Sequence, residues 1–283
     1  MRKPDLVIFD CDGVLVDSEI VATRVEAQMI TKGGYPIEVE ELIQNYAGLP
    51  FKNILLRIEK EAGIPFQASL IDECEATIDK RLAVEKLVIE GVATAVSALR
   101  VPYCICSNSS TQRIRFMLGR AGLGPLFEGR IYSSLETPSG RPKPAPDVFL
   151  HAAEAMGADP ARTFVIEDSV HGITGARAAG MRVIGFTGGS HSYPGHADAL
   201  TEAGAETVIR RWADFEAVLA ALTDWALRDR RDSTAALKPL FSRMYRAPHP
   251  ACARISGRGC LRRSPRTSGC SCDRGSGSRC SDP

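Results

Sequence analysis

Leu6-Val7-Ile8-Phe9-Asp10-Cys11-Asp12-Gly13 decides how the rest of the chain is read. A short apolar, β-favouring run is closed by a turn sequence, so residues 5–10 are expected to form a buried strand that delivers two carboxyl groups to one loop. Asp after a strand is by itself an ordinary turn residue. Three further stretches change its meaning: Tyr103-Cys104-Ile105-Cys106 ends in Ser107, Phe164-Val165-Ile166 ends in Glu167 and Asp168, and Lys143 stands within Arg141-Pro142-Lys143-Pro144.

Working outward, residues 19–88 change to helical spacing. Ile20, Val21, Val25, Met29 and Ile30 suit one amphipathic helix, Ile54, Leu55, Ile58 and Ala62 suit another, and residues 71–87 suit a third. Strand signals resume at residues 102–106 and recur at 130–132, 163–166 and 182–186. They alternate with helical segments near 111–121, 146–156, 172–179 and 212–227. The expectation is an α/β fold, a doubly wound parallel sheet covered on both faces, with an all-helical insert after its first strand. The divisions expected are 1–18 (core, first part), 19–88 (helical insert), 89–227 (core, second part) and 228–283 (tail). Ligands of such sheets bind at the carboxyl ends of the strands, where all four polar clusters fall.

The net charge of +1 conceals two different halves. Residues 228–283 hold 13 Lys or Arg against 4 Asp or Glu, a net of +9, which leaves an acidic body with 22 against 30, or −8. Apolar residues are sparse in the tail, and it is expected to be disordered and without function. It carries Cys252, Cys260, Cys270, Cys272 and Cys280, but only Cys270 and Cys272 are close, with no matching pair at zinc-finger spacing. Cys11, Cys74, Cys104 and Cys106 lie in or near apolar segments of the body and read as small buried hydrophobes, which suits a reducing cytoplasm. No apolar stretch approaches the roughly 18 residues of a membrane span. An acidic body with few aromatics argues against nucleic acid as its partner.

Asp10 and Asp12 on one loop repel each other, so both stay ionised only if a cation or hydrogen bonds offset the repulsion. Mg2+ prefers such oxygen ligands, and Asp168 with Glu167 beside it offers more from a neighbouring strand end. An ionised Asp10 facing a phosphate ester can attack phosphorus to form an aspartyl phosphate, while Asp12 moves protons at the leaving oxygen and then at water. Ser107, with backbone N–H groups from Asn108 onward, can bind phosphoryl oxygens at a helix start, and Lys143 adds a fixed positive charge. Pro142 and Pro144 limit its direction.

Asp10-Cys11-Asp12-Gly13-Val14-Leu15-Val16-Asp17-Ser18, Ser107-Asn108, Lys143-Pro144-Ala145-Pro146-Asp147 and Glu167-Asp168-Ser169 resemble the four ordered motifs of haloacid dehalogenase-like hydrolases. The run Gly172-Ile173-Thr174-Gly175-Ala176-Arg177-Ala178-Ala179-Gly180-Met181 is also similar to that family, and coverage extends over about residues 5–225. The resemblance implies a Rossmann-like core with the helical cap of the phosphoglucomutase and sugar-phosphatase branch. It implies Asp10 as nucleophile, Asp12 as acid/base whose main-chain carbonyl meets the metal, Asp168 as carboxylate ligand, Glu167 reaching the metal through water, and Ser107, Asn108 and Lys143 holding phosphate. The family's dehalogenases lack an aspartate at the position of Asp12, and its phosphonate-cleaving members place a small residue there and use a cap lysine. Asp12 therefore disfavours both chemistries despite Lys52.

The expected activity is Mg2+-dependent hydrolysis of a small phosphorylated metabolite, a sugar phosphate or related organic acid phosphate. A phosphosugar mutase, or a non-catalytic module that binds such metabolites, are the alternatives. Product analysis with glucose 1-phosphate and a bisphosphate primer separates mutase from phosphatase. His171, His191 and His196 belong to no motif, and Gly188, Gly189 and Pro194 mark a loop around the last two, so all three are expected at the surface. Residues 47–52 are either a substrate-facing loop or a plain helix connection. Natural substrate and oligomeric state are not legible.

Overall fold

In the computed structural model, described over residues 3–46 and 49–224, β1 (Leu6–Phe9) runs between two parallel neighbours with every side chain buried. An unbroken apolar run is what a strand covered on both faces requires. Among the described residues the sheet has six parallel strands, β1 with β2 (Tyr103–Ser107), β3 (Ile131–Ser133), β4 (Thr163–Glu167), β5 (Arg182–Phe186) and β6 (Thr207–Ile209), in the order β3-β2-β1-β4-β5-β6. Strands are added outward from β1 in both directions, so the order switches at β1 and the clefts beside its carboxyl end are the places for a ligand.

Alternation along β1 divides the core. Val7 and Phe9 face one side with Ile105, Phe164, Ile166, Phe186, Trp212 and Phe215, whereas Leu6 and Ile8 face the other with Cys104, Cys106, Val165, Phe149 and Ile173. Phe9 is at the centre of an aromatic group, with ring centroids 5.7 Å from Trp212, 5.9 Å from Phe215 and 6.1 Å from Phe127. Cys11, Cys74, Cys104 and Cys106 are free and buried, the state expected of small hydrophobes.

Between β1 and β2 the chain makes α1 (Glu19–Lys32), α2 (Val39–Tyr46), α3 (Phe51–Ala62), α4 (Ser69–Leu82) and α5 (Val92–Ala98). The first four build their own apolar centre from Ile30, Leu42, Tyr46, Ile54, Leu55 and Ile58. The insert leaves and returns at one place: Val16 and Val88 form an antiparallel bridge, and the Asp17 N–H donates to the Leu87 carbonyl at 3.0 Å. After β2 come α6 (Thr111–Arg120), α7 (Asp147–Ala155), α8 (Val170–Ala178) and α9 (His196–Glu202), and residues 215–224 are helical. Among the described residues no helix is long and apolar enough to cross a membrane.

The doubly wound sheet and the helical insert are as expected, but several elements differ. The helix expected over 71–87 ends at Leu82, because residues 83–88 turn back toward the core, where Leu87 is buried. The segment expected to be helical from 212 opens with a 3-10 turn, Trp212–Asp214, and continues as a helix from 215. α2, α5, α9 and β6 add to the elements expected. The tail at 228–283 lies outside the described residues.

Candidate active site

The four clusters meet at the carboxyl edge of the sheet, on a cavity of about 700 Å³ whose other wall is the helical insert. β1, β2 and β4 are adjacent and parallel, so Asp10, Ser107 and Glu167, at or just beyond their ends, come together although they are far apart in sequence. The Asp10 N–H, bonded to the Ile166 carbonyl at 3.0 Å, continues the β1–β4 ladder one residue past β1 and fixes where its side chain starts.

Lys143 reaches this edge from the loop before α7 and is buried. Its ammonium donates to the Asp10 carboxylate, to the Cys106 carbonyl at 2.7 Å and to Glu167 Oε1 at 2.7 Å. All three of its hydrogens are thus committed inside the protein. Asn108 holds the same loop: the Lys143 N–H donates to Asn108 Oδ1 at 2.9 Å, and Asn108 Nδ2 donates back to the Lys143 carbonyl at 3.5 Å. Burial works to lower the Lys143 pKa, but the Asp10 and Glu167 carboxylates outweigh it and hold the amine charged. At Asp10, burial pushes the carboxyl up, Lys143 pulls it down, and Glu167, Asp168 and Asp12 push it up again, so that it stands well above the ordinary carboxylate range.

Glu167 is fully buried, with Oε1 on Lys143 and Oε2 accepting from the Ser169 N–H at 3.2 Å and hydroxyl at 2.9 Å. Ser169 Oγ in turn accepts from the Gly172 N–H at 3.0 Å and caps α8. Gly172 is glycine because a Cβ there would lie 1.8 Å from Glu167 Oε1. Asp12 stands slightly apart, its carboxylate accepting from the hydroxyls of Ser18 at 2.7 Å, Ser109 at 2.9 Å and Ser107 at 3.3 Å. The helix after β2 starts at Thr111, as expected, and Ser107 and Asn108 lie short of its cap. Ser110, not Ser107 or Asn108, caps α6, and Ser107 Oγ instead accepts from the Ser109 N–H at 3.0 Å.

The expected surface placement holds for His171, which is exposed, and fails for the other two histidines. His191 is largely enclosed, with Nε2 3.0 Å from Asp168 Oδ2, and His196 is buried, with Nε2 2.7 Å from the Asp168 carbonyl. The parallel pairing of β5 with β4 brings the loop after β5 to Asp168, a neighbourhood that no local pattern announces. Ser18, Ser109, Glu19 and Glu26 also escaped the sequence reading. Glu19 opens onto the cavity. Its side chain stays exposed at the cavity, and desolvation by the surrounding walls, then Asp12 and Asp168, push its carboxyl up to about 8. Burial pushes Glu26, one face-repeat further along α1, up to about 7. Acidic residues at i and i+7 directly after the first motif were the available signal.

Asp10, Glu167 and Asp168 each offer an oxygen, and these lie within 4.8 Å of one another. An all-carboxylate set fits a hard divalent cation such as Mg2+. The charge balance fits as well: Lys143 is shared between Asp10 and Glu167, and Asp168 beside them meets only the His191 imidazole among the described residues.

The sequence model of the haloacid dehalogenase-like hydrolases matches residues 4–180. A solved haloacid dehalogenase-like protein of unknown function from Agrobacterium tumefaciens is 57% identical, with a TM-score of 0.75 over 77% of this chain and 99% of that one. A haloacid dehalogenase family hydrolase from Deinococcus radiodurans, solved with bound phosphate and sodium, is 32% identical, with a TM-score of 0.68 over 78% of this chain and 97% of that one. The 6-phosphogluconate phosphatase of Escherichia coli is 28% identical over 69% of this chain and 87% of its own. A match running through all four clusters, joined to the same fold in relatives of this identity, makes the chain a member of the haloacid dehalogenase-like hydrolase family.

Proposed function

We propose that the chain is a Mg2+-dependent phosphatase of a small phosphorylated metabolite, a sugar phosphate or related organic acid phosphate, acting through an aspartyl phosphate on Asp10. The observation that carries this reading is the convergence of Asp10, Lys143 and Asp168, with Asp12 beside them and Glu167 buried behind them, on one cavity under a helical insert. Relatives named as 6-phosphogluconate phosphatase, phosphoglycolate phosphatase and fructose-1-phosphate phosphatase support the substrate class.

Asp10 and Asp168, with Glu167 and the main-chain carbonyl of Asp12, would hold the cation. When bound, it offsets the repulsion among the carboxylates and the charge of the incoming phosphate. Lys143 orients the Asp10 carboxyl and opposes the burial that raises it, and the cation would add to that pull toward the ionised form, leaving an oxygen to attack phosphorus in line. Asp12, kept in place by Ser18, Ser107 and Ser109, gives its proton to the leaving oxygen and takes one from the water that opens the aspartyl phosphate. Ser107 and the backbone beyond it, with Asn108 fastening the Lys143 loop, form the wall on which phosphoryl oxygens rest. The insert excludes bulk water and presents Glu19 and Glu26 to the rest of the substrate.

Phosphate release from a panel of sugar and organic acid phosphates, with and without chelator, tests the proposal. Activity is expected to need Mg2+, to fall about 1,000-fold or more in Asp10→Asn, and to fall about 100- to 10,000-fold in Asp12→Asn. Turnover that ignores chelator or survives Asp10→Asn overturns it.

A further inference from the structure

The loop after β5 closes over Asp168 in a way the four motifs do not account for. His191 Nε2–H faces Asp168 Oδ2 at 3.0 Å. His196 Nε2 reaches the main-chain carbonyl of the same residue at 2.7 Å, and its Nδ1 is 3.2 Å from Ser192 Oγ. Side chain and backbone of Asp168 are therefore gripped by two imidazoles from one segment. Their rings lie edge to face with centroids 5.7 Å apart, and Tyr193 stacks on His196 at 4.7 Å.

The grip is built into the loop after β1 as well. Asp17 takes the Ser190 N–H at 2.9 Å and the Ser190 hydroxyl, which anchors the residue next to His191. Two glycines make room. A Cβ on Gly189 would lie 2.7 Å from the His191 ring. A Cβ on Gly13, whose φ is +76°, would lie 2.8 Å from that ring and 1.9 Å from Asp168 Oδ2. Gly13, inside the first motif, is thus the floor on which the Asp168–His191 pair rests.

His191 is not a member of the ligand cluster. The oxygens of Asp10, Glu167 and Asp168 gather within 4.8 Å of one another, and of these three residues the imidazole pairs with Asp168 alone. One oxygen of Asp168 is occupied by the ring, and the carboxylate cannot rotate without breaking that bond. We propose that His191 is a positioning residue that fixes the Asp168 carboxylate in the orientation that presents its other oxygen to the cation. The inference rests on the reading of Asp168 as a metal ligand. Loss of such an outer partner typically weakens metal binding about 10- to 100-fold.

The test is Mg2+ binding to the full chain by titration calorimetry, without substrate. His191→Phe keeps a planar ring but has no donor, and it is expected to bind Mg2+ about 10- to 100-fold more weakly. His191→Gln carries a donor at similar reach and is expected to keep most of the affinity. In turnover, the Mg2+ concentration giving half-maximal rate rises in the Phe variant, while kcat at saturating Mg2+ changes far less. Unchanged or tighter Mg2+ binding by His191→Phe overturns the proposal, as does equal weakening in both variants. If the Phe variant does not fold, by circular dichroism, His191→Ala is titrated with and without imidazole. Weakened binding restored by imidazole supports the role, and any other result overturns it. If the unaltered chain binds no Mg2+, both this inference and the metal-dependent mechanism fall. Mg2+ binding that depends on His191, without phosphate release from any panel member, overturns only the proposed function.

Discussion

Lys143 and Glu167 form a buried ion pair in which every strong donor and acceptor is used, and that completeness is why two charges can sit beneath the site. Removing one partner of such a pair costs about 3–5 kcal/mol, because the other charge is left uncompensated. Gly172→Ala tests this arrangement without deleting a charge. Its methyl group would occupy the place of the Glu167 carboxylate, 1.8 Å from Oε1. The side chain would have to leave Lys143 and Ser169. Destabilisation of about 3 kcal/mol is expected, at the upper end of overpacking effects, and denaturant unfolding measures it. Asp10, Asp12, Ser107, Lys143, Glu167 and Asp168 were legible because each stands in an ordered motif. The commitment of Lys143 to Asp10, Cys106 and Glu167 was not, since it depends on three strand ends lying side by side. His191 and His196 were misread for the same reason: glycine and proline nearby correctly signal a loop, but nothing local says that the loop folds inward.

α6 shows how an element's first residue is set. Ser110 is extended and its hydroxyl accepts from the Arg113 N–H at 3.3 Å, which stops the helix from starting sooner. Residues 107–109 are thereby left as a bend whose hydroxyls, Ser107 and Ser109, turn to Asp12. Ser110→Ala is expected to cost about 1 kcal/mol, seen as a lower thermal midpoint with Mg2+ affinity unchanged. β1, β2, β4 and β5 were readable because strands covered on both faces need runs of apolar residues. β6 has three residues, and α2 and α9 bury only Leu42 with Tyr46 and His196 with Leu200, a pair one turn apart. Such short elements are held by what they pack on, and their own sequence carries little of the instruction.

Across the whole molecule, an acidic group half-buried at the seam between insert and core ties stability to pH. The Glu26 carboxyl is pushed up to about 7 by burial, from an ordinary value of 4.5. Between these values the folded chain keeps a proton that the unfolded chain has released, so this contribution is full below the lower value and is lost as pH rises through the upper one. Glu26→Gln removes the dependence at one site. Its thermal midpoint relative to the unaltered chain is expected to rise from pH 5 to pH 8, and a difference that stays constant across that range contradicts the assignment. The bridge between Val16 and Val88, with the Asp17–Leu87 bond beside it, has a different consequence. Exit and re-entry are hydrogen-bonded neighbours, so from the sheet's side the whole excursion resembles a hairpin with an oversized loop. Anything whose two ends lie one strand spacing apart can be spliced there. On the proposed function, the architecture separates inheritance of the reaction from choice of what reacts: one can be kept while the other is exchanged.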